Sequence, residues 1–317
     1  MNRKNDNCEL SVIIPLYDEE ESLRELYERI IQAAEKTVQS FEIIFIDDGS
    51  QDDSLKILQA LHERDSRVKV ISFRKNYGKS AALSEGFHYC SGDIVITMDA
   101  DLQDDPAEIP HLIKKINEGY DLVSGWKKKR YDPWLKKVTS KFYNFVTSRM
   151  SGITLHDFNC GLKAYRRAVV KEIRLYGQLH RFVPVLAHWQ GFRVGEVVVQ
   201  HHARKFGKTK FGPSRFAHGF FDILTVMFLL RFKRRPLHLF GLMGMVCFVI
   251  GSAITLYLGF QRIVYSMYLS RRPILFLGIL LIIVGVQFIS LGLLGEMVSE
   301  SRDAKDGYSI KQKIGIS

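Results

Sequence analysis

The chain has 317 residues, 45 lysines and arginines against 34 aspartates and glutamates, a net charge of +11, and four cysteines. That length fits one large domain or two ordinary ones, and the positive balance points to an anionic partner: nucleic acid, a membrane surface or a phosphorylated substrate. Cys8, Cys90, Cys160 and Cys247 form no Cys-x-x-Cys pair, which fits neither a disulfide framework nor a zinc site and favours a reducing compartment, and the polar start at Asn2–Asp6 predicts no secretory signal peptide.

In chain order, Leu10–Pro15 reads as an apolar strand followed by Tyr17, Asp18 and Glu19. Residues 20–36 carry Leu23, Leu26, Ile30 and Ala33 at helical spacing. Phe41–Ile46 is a second strand, ending in Asp47-Asp48-Gly49-Ser50. Leu55–Arg64 reads as a helix, Val68–Phe73 as a strand, Ser80–Cys90 as a helix and Asp93–Met98 as a strand. Such alternation predicts a mostly parallel sheet covered by helices, with ligands bound beyond the carboxyl ends of its strands. Tyr17, Asp18 and Glu19, Asp47 and Asp48, and Asp99 and Asp101 all fall at such ends. No Gly-x-Gly-x-x-Gly follows the first strand and no Walker lysine motif occurs, so a dinucleotide dehydrogenase or P-loop enzyme is unsupported.

Asp99 and Asp101 stand one residue apart after the run Ile94-Val95-Ile96. Strand alternation would aim both side chains the same way. Two carboxylates so placed repel unless a cation lies between them, and a hard divalent metal carrying a phosphate-bearing substrate meets that need. A solvated acidic turn is the alternative, and for a bare Asp-x-Asp it is the commoner case.

Further along, residues 133–150 place Trp134, Leu135, Val138, Phe142, Phe145, Val146 and Met150 on one helical face, with Lys136, Lys137, Lys141 and Arg149 around the rest. Residues 213–235 are rich in Phe and Leu but hold Arg215, His218 and Asp222, which leaves an uncharged run too short to span a bilayer. Both segments are read as amphipathic helices of the headgroup region, against the alternative of core-facing helices. A mean hydropathy near zero hides two uncharged runs, 237–260 and 273–295, each long enough to cross a bilayer core of about 30 Å as a helix. Gly241, Gly244 and Gly251 in the first, and Gly278, Gly285 and Gly292 in the second, suit close helix packing. Basic residues flank both ends of this hairpin, Arg231, Lys233, Arg234 and Arg235 before it and Arg302, Lys305, Lys311 and Lys313 after it. The loop between the spans, with Arg262, Arg271 and Arg272, is basic too, so charge alone is a weak guide. The missing signal peptide and the large soluble-looking N-terminal part set the expected placement at the inner (cytoplasmic) membrane, with the N-terminal part and the 297–317 tail facing the cytoplasm. His156, His201 and His202 have no convergent partners in the sequence and are read as structural.

Four motifs in order resemble family-2 glycosyltransferases of the GT-A fold: Pro15-Leu16-Tyr17-Asp18-Glu19-Glu20, Asp47-Asp48-Gly49-Ser50, Asn76-Tyr77-Gly78-Lys79 and Asp99-Ala100-Asp101-Leu102-Gln103. The resemblance runs from about residue 10 to residue 212. Asp157–Arg167, Arg204–Lys210 and the two C-terminal spans are similar to the polyprenyl-phosphate subgroup, which includes dolichyl-phosphate mannose synthase and bacterial polyprenyl-phosphate glucosyltransferases. Asp18 departs from the Asn of many relatives and adds a negative charge near the nucleotide pocket.

The resemblance implies an α/β fold, a GT-A (Rossmann-like) mostly parallel sheet domain over residues 1–212, interfacial helices, and a C-terminal two-helix transmembrane hairpin within 236–296. It implies an inverting, metal-dependent hexosyltransferase that moves a sugar from a nucleotide diphosphate sugar to polyprenyl phosphate, with UDP-glucose or a similar UDP-hexose favoured over GDP-mannose. Mg2+ or Mn2+ would sit on Asp101 and Asp99, with Asp157 as the second catalytic carboxylate beside Asp101. Pro15, Tyr17, Glu19, Asp48, Lys79, Asp99 and Gln103 would bind the nucleotide sugar. Lys127, Arg130, Lys137, Lys141, Arg204 and Lys210 would meet the diphosphate or the acceptor phosphate. The expected partners are the donor, the lipid acceptor and the bilayer, with no nucleic acid, since the basic residues cluster at the membrane flanks. A non-catalytic scaffold that binds nucleotide sugar, and a family-2 synthase acting on another lipid or glycan, are the competing readings. No Gln-x-x-Arg-Trp motif of processive synthases occurs.

Overall fold

The computed structural model describes residues 8–128, 144–145, 147–149, 151–175, 177, 179–203, 205, 236–265 and 273–306. Arg130, Lys137, Lys141, Arg204, Lys210 and the 213–235 segment lie outside the described residues, as does most of 133–150. The chain divides into two compact units, Met1–Arg215 and Phe216–Ser317.

The first unit is a seven-stranded sheet. In chain order its elements are β1 (Leu10–Leu16), α1 (Leu23–Glu35), β2 (Phe41–Asp47), α2 (Ser54–Arg64), β3 (Val68–Ser72), α3 (Lys79–Tyr89), β4 (Ile94–Thr97), α4 (Ile109–Asn117), β5 (Leu122–Trp126), β6 (Lys163–Arg166), α5 (Arg167–Glu172), α6 (Val183–Trp189) and β7 (Val194–Val198). The strand order is β3-β2-β1-β4-β6-β5-β7. All pairings are parallel except those of β6, which runs antiparallel to β4 and to β5.

β1 and β2 are buried along nearly their whole length because helices cover both faces, which is why they read as unbroken apolar runs rather than alternating ones. Leu10, Val12, Ile14 and Leu16 join the cluster formed with α1, α2 and α4. Ile13, one pleat over, meets Gly86 of α3 on the other face. On α1 the residues Leu23, Leu26, Ile30, Ala33 and Ala34 form the buried stripe, as their spacing predicts. Burying a side chain such as Ile30 is worth about 1.5–3 kcal/mol.

Pro15 sits inside β1, where a missing N–H would ordinarily break a ladder. Pairing to β4 ends at Ile13–Thr97, with the Met98 N–H donated to the Ile13 carbonyl. Ile13 and Pro15 face the same side, so the proline nitrogen points where the ladder has already stopped.

The second unit is a hairpin of α7 (Pro236–Tyr265) and α8 (Pro273–Asp306). Both helices contain spans long and apolar enough to cross a membrane, Leu237–Tyr265 and Pro273–Val298, a few residues longer than the uncharged runs suggest. A Cβ at Gly285 would stand 2.7 Å from the Gly244 carbonyl oxygen, and one at Gly251 2.6 Å from that of Gly278. The glycines thus set the approach of the two backbones, as expected for helices that gain little from hydrophobic burial against each other. Gly241 instead faces Leu237 of its own helix. Glu296 of α8 accepts the Leu237 N–H at 3.3 Å, placing a carboxylate at the positive end of α7.

Candidate functional site

Topology gathers the site. The carboxyl ends of β1, β2, β4, β5 and β7 share one rim, and because β6 is reversed its amino end, preceded by Asp157–Leu162, lies on that rim too. Three of these segments were legible as acidic strand ends; the approach of residues 157–163 from the opposite direction was not.

β4 ends at Thr97, so Asp99 and Asp101 are placed by the loop that follows and not, as expected, by strand alternation. Met98, Ala100 and Leu102 are buried, which turns the two half-buried aspartates away from the core. Leu102 holds φ +57° and Asp101 accepts the Gln103 N–H at 3.2 Å, a tight turn that costs backbone strain. The Gln103 carbonyl accepts the His202 N–H at 2.9 Å, an antiparallel bridge joins Asp104 to His201, and His202 Nε2 lies 2.8 Å from Asp105 Oδ2. The two histidines therefore brace the aspartate loop.

Asp99 is in contact with the Lys79 ammonium. Burial opposes its ionisation, but Lys79, with Lys127 and Lys163 farther off, outweighs burial and holds the carboxyl down at about 2. Asp104 is fully buried, with Lys127 Nζ 2.7 Å away. Burial favours a neutral Lys127, yet Asp104 wins and raises its pKa above the ordinary lysine value. Lys127, expected at the phosphate, is here turned inward onto the buried Asp104 carboxylate. A Cβ on Gly161 would lie 2.6 Å from Asp99 Oδ2 and 2.9 Å from Asp104 Oδ2, so only glycine lets the 157–163 segment close over both carboxylates.

Lys163 is buried in β6 and donates to the Cys160 carbonyl. Burial, with the charge of Lys79, pushes its ammonium below the usual range, while burial lifts the Cys160 thiol to about 12 and keeps it inert. Asp157 is also buried; its Oδ1 accepts the Asn159 N–H at 3.1 Å and its carbonyl accepts the Ser124 hydroxyl at 3.2 Å. Asn144, in the described part of the segment read as amphipathic, donates to the His156 carbonyl at 2.7 Å, and Phe145 beside it is exposed.

At the other end of the rim, Asp47 closes its turn as expected, accepting the Ser50 N–H at 2.9 Å and the Ser72 hydroxyl at 2.7 Å. Asp48 accepts the N–H groups of Tyr77 and Gly78 at 2.7 and 2.8 Å. Burial raises its pKa above the usual value against those two bonds. Asp18 takes φ +50°, a conformation Asn and Asp tolerate better than most residues, and accepts the Gln51 N–H at 2.8 Å. Tyr17 and Glu19 are half-buried on the same loop, and the Glu19 N–H donates to Ser54 Oγ at 3.1 Å. Lys79 opens α3, whose first turn is tied to the Leu179–Arg181 turn: Ser80 Oγ lies 2.9 Å from His180 Nδ1 and accepts the His180 N–H at 3.2 Å. Burial, then the Lys79 charge, holds the His180 imidazole well below its ordinary range.

The sequence alone assigned no role to Asp104, Ser80 or His180, and none to Gly161 or Lys163 beyond their place in the Asp157–Arg167 segment. The one available signal was Lys163 itself, a charge in the otherwise apolar run Leu162–Tyr165. Among the described residues no three His, Cys, Asp or Glu side chains converge into a protein-only metal cage. A two-carboxylate edge nevertheless fits Mg2+ or Mn2+, hard ions that keep water and substrate phosphate in their shell.

The family model described as Glycosyl transferase family 2 matches residues 11–174. The chain is 36% identical over 314 residues to the dodecaprenyl-phosphate galacturonate synthase of Rhizobium johnstonii, covering 96% of this chain and 93% of that one. It is 35% identical over 312 residues to the undecaprenyl-phosphate 4-deoxy-4-formamido-L-arabinose transferase of Proteus mirabilis, covering 97% and 94%. Among solved structures, glucosyl-3-phosphoglycerate synthase from Mycobacterium tuberculosis in complex with Mn2+, uridine diphosphate and phosphoglyceric acid superposes with a TM-score of 0.54 at 20% identity, over 70% of this chain and 78% of that one. That likeness concerns the GT-A-like fold.

Proposed function

The chain belongs to glycosyl transferase family 2, and from that premise we propose that it transfers a sugar from a nucleotide diphosphate sugar to a polyprenyl phosphate, with inversion, at a membrane that its two apolar helices span. The observation that carries this reading is the convergence of Asp48, Asp99, Asp101 and Asp157 with Lys79 and Lys163 on one rim of the sheet. UDP-hexoses are the favoured donors. The names of the two relatives add the galacturonate and 4-deoxy-4-formamido-L-arabinose derivatives to the candidates.

Asp48 accepts a base N–H through lone pairs left over from its two backbone bonds, Tyr17 stacks on the base and Glu19 reaches the ribose. Asp101, with Asp99 and Gln103 beside it, would hold Mg2+ or Mn2+. When bound, the ion offsets the charge that develops on the leaving nucleoside diphosphate. A phosphate oxygen of the acceptor attacks the anomeric carbon; the bond from that carbon to the diphosphate breaks, and the electron pair leaves with the nucleoside diphosphate. The acceptor phosphate has its second pKa near 6 and is largely a dianion at neutral pH, so it needs little deprotonation. Asp157 orients it and takes the proton of the residual monoanion. Arg130, Lys137, Lys141, Arg204 and Lys210 supply the cations that make a dianion tolerable beside carboxylates. The N-terminal unit faces the cytoplasm in this proposal, where nucleotide sugars are made.

The test incubates the purified full-length chain in detergent with polyprenyl phosphate, Mg2+ or Mn2+, and labelled UDP-glucose, UDP-galacturonate, UDP-4-deoxy-4-formamido-L-arabinose or GDP-mannose. A labelled glycolipid from one donor supports the reading, and none from any donor sinks it.

A further inference from the structure

The Lys79–Asp99 contact has a feature that the other ion pairs of the site lack. Lys127 and Asp104 are locked away, with side chains 13% and 0% exposed. Lys163 is buried and donates to a backbone carbonyl. Lys79 and Asp99 are 33% and 36% exposed at the side chain, so this pair alone of the three cationic contacts opens on solvent. The backbone that carries Lys79 is pinned on both sides. Asp48 holds the two N–H groups before it, and Ser80 after it is tied to the His180 turn. Only the flexible four-carbon side chain of Lys79 is left to change partners.

We propose that Lys79 is a place-holder: its ammonium occupies Asp99 until a metal-bound nucleoside diphosphate arrives, then moves from Asp99 to the diphosphate, so that metal and donor bind together rather than metal first. The inference rests on the transferase reading of this rim and deepens it. A monocation and a divalent ion compete for the same carboxylate, and Asp99 cannot fully serve both, because the two cations repel at contact distance. The incoming diphosphate resolves the conflict by offering Lys79 a new anion while it brings further oxygen ligands to the ion. Metal alone offers Lys79 nothing, so metal alone binds weakly. The pinned backbone matters here: the exchange needs rotation about side-chain bonds only and leaves the Asp48 and Ser80 contacts standing.

The experiment is a Mn2+ titration of the full-length chain in detergent micelles, free Mn2+ being read from its paramagnetic resonance signal, with no nucleotide present. The wild type is compared with Lys79→Met, Lys79→Arg, Asp99→Asn and the double variant Lys79→Met/Asp99→Asn. The expected result is that Lys79→Met binds Mn2+ at least about tenfold more tightly than wild type, that Lys79→Arg does not, and that the gain disappears in the double variant. Equal affinity of Lys79→Met and wild type overturns the proposal. So does a gain that survives Asp99→Asn, which would reflect loss of a positive charge in general. Lys79→Gln replaces Lys79→Met should the latter fail to fold. The titration needs no donor, so it decides this inference separately: a chain that makes no glycolipid but shows the Lys79-dependent gain loses only the transferase reading.

Discussion

The two ends of the sheet solve one problem in opposite ways. At the amino end, the buried Glu42 is met by four donors: the Ser11 hydroxyl at 2.5 Å, the Ser91 N–H at 2.7 Å, the Ser91 hydroxyl at 2.8 Å, and the Lys69 ammonium. Ser11 in turn accepts the Gly92 N–H at 2.8 Å, so the carboxylate ties β1, β2 and the 91–92 turn together. At the carboxyl end, Asp99 and Asp104 also meet lysines, but the Lys79–Asp99 pair is open to solvent and lies on the rim shared by the parallel strand ends and the reversed strand. Both ends bury carboxylates against lysines. At one end the carboxylate itself is buried beneath hydroxyl, backbone and ammonium donors and serves as architecture; at the other the Asp99 carboxylate stays open to solvent beside its lysine, on the rim of the candidate site.

The sharpest break of this contrast is Asp101→Asn. Transfer should fall by about a thousandfold or more, since charge stabilisation at the leaving group is lost, while membrane insertion and thermal unfolding stay as in wild type. Retained transfer would remove the metal role from Asp101. Gly161→Ala comes next: the added methyl must displace Asp99 or Asp104, and a loss of roughly tenfold to a hundredfold in kcat/KM is expected from misplacement alone. Unchanged kinetics would show that the closeness of this segment does not matter. Asp157→Asn should slow transfer most at pH below about 6, where the acceptor carries a proton, and an unchanged rate across pH would take Asp157 out of the chemistry.

The smallest effect on rate belongs to the amino end. Glu42→Gln should leave kcat/KM within about twofold and lower stability by ~1–3 kcal/mol, the worth of charged hydrogen bonds at a buried group. Its pH dependence has a definite sign. Burial raises the Glu42 pKa, but Lys69, Ser11 and Ser91 outweigh it and leave it below the ordinary value of 4.5. Its contribution is therefore fully present above 4.5 and lost as pH falls through the lower folded value. Thermal unfolding between pH 3 and 7 should show an acid-side loss of stability that is smaller in Glu42→Gln. A variant that instead lost transfer at full stability would erase the distinction between the two ends.

Much of the molecule was legible along the chain. Strands β1, β2 and β4 appear as apolar runs because both faces of a parallel sheet are buried, and α1 shows its stripe because one face is. Asp47, Asp48, Asp99 and Asp101 stand out because polar groups that directly follow such runs must sit at the sheet edge. The inward turn of Lys127 was not legible, because the four basic residues Lys127–Arg130 look alike until Asp104 is found beneath the first of them. Nor was the tie between Ser80 and His180, 100 residues apart.

By itself, the sequence determined the alternating elements, the rim acids and two helices long enough to span a bilayer, because these follow from backbone periodicity and local hydrophobicity, which neighbours in the chain decide. Tertiary structure alone decided that β6 runs backwards and so carries Asp157, Gly161 and Lys163 to the rim. It alone decided which lysine meets which carboxylate. Those outcomes depend on side chains brought together by packing, where a shift of a few ångströms separates a fully buried ion pair from one open to solvent.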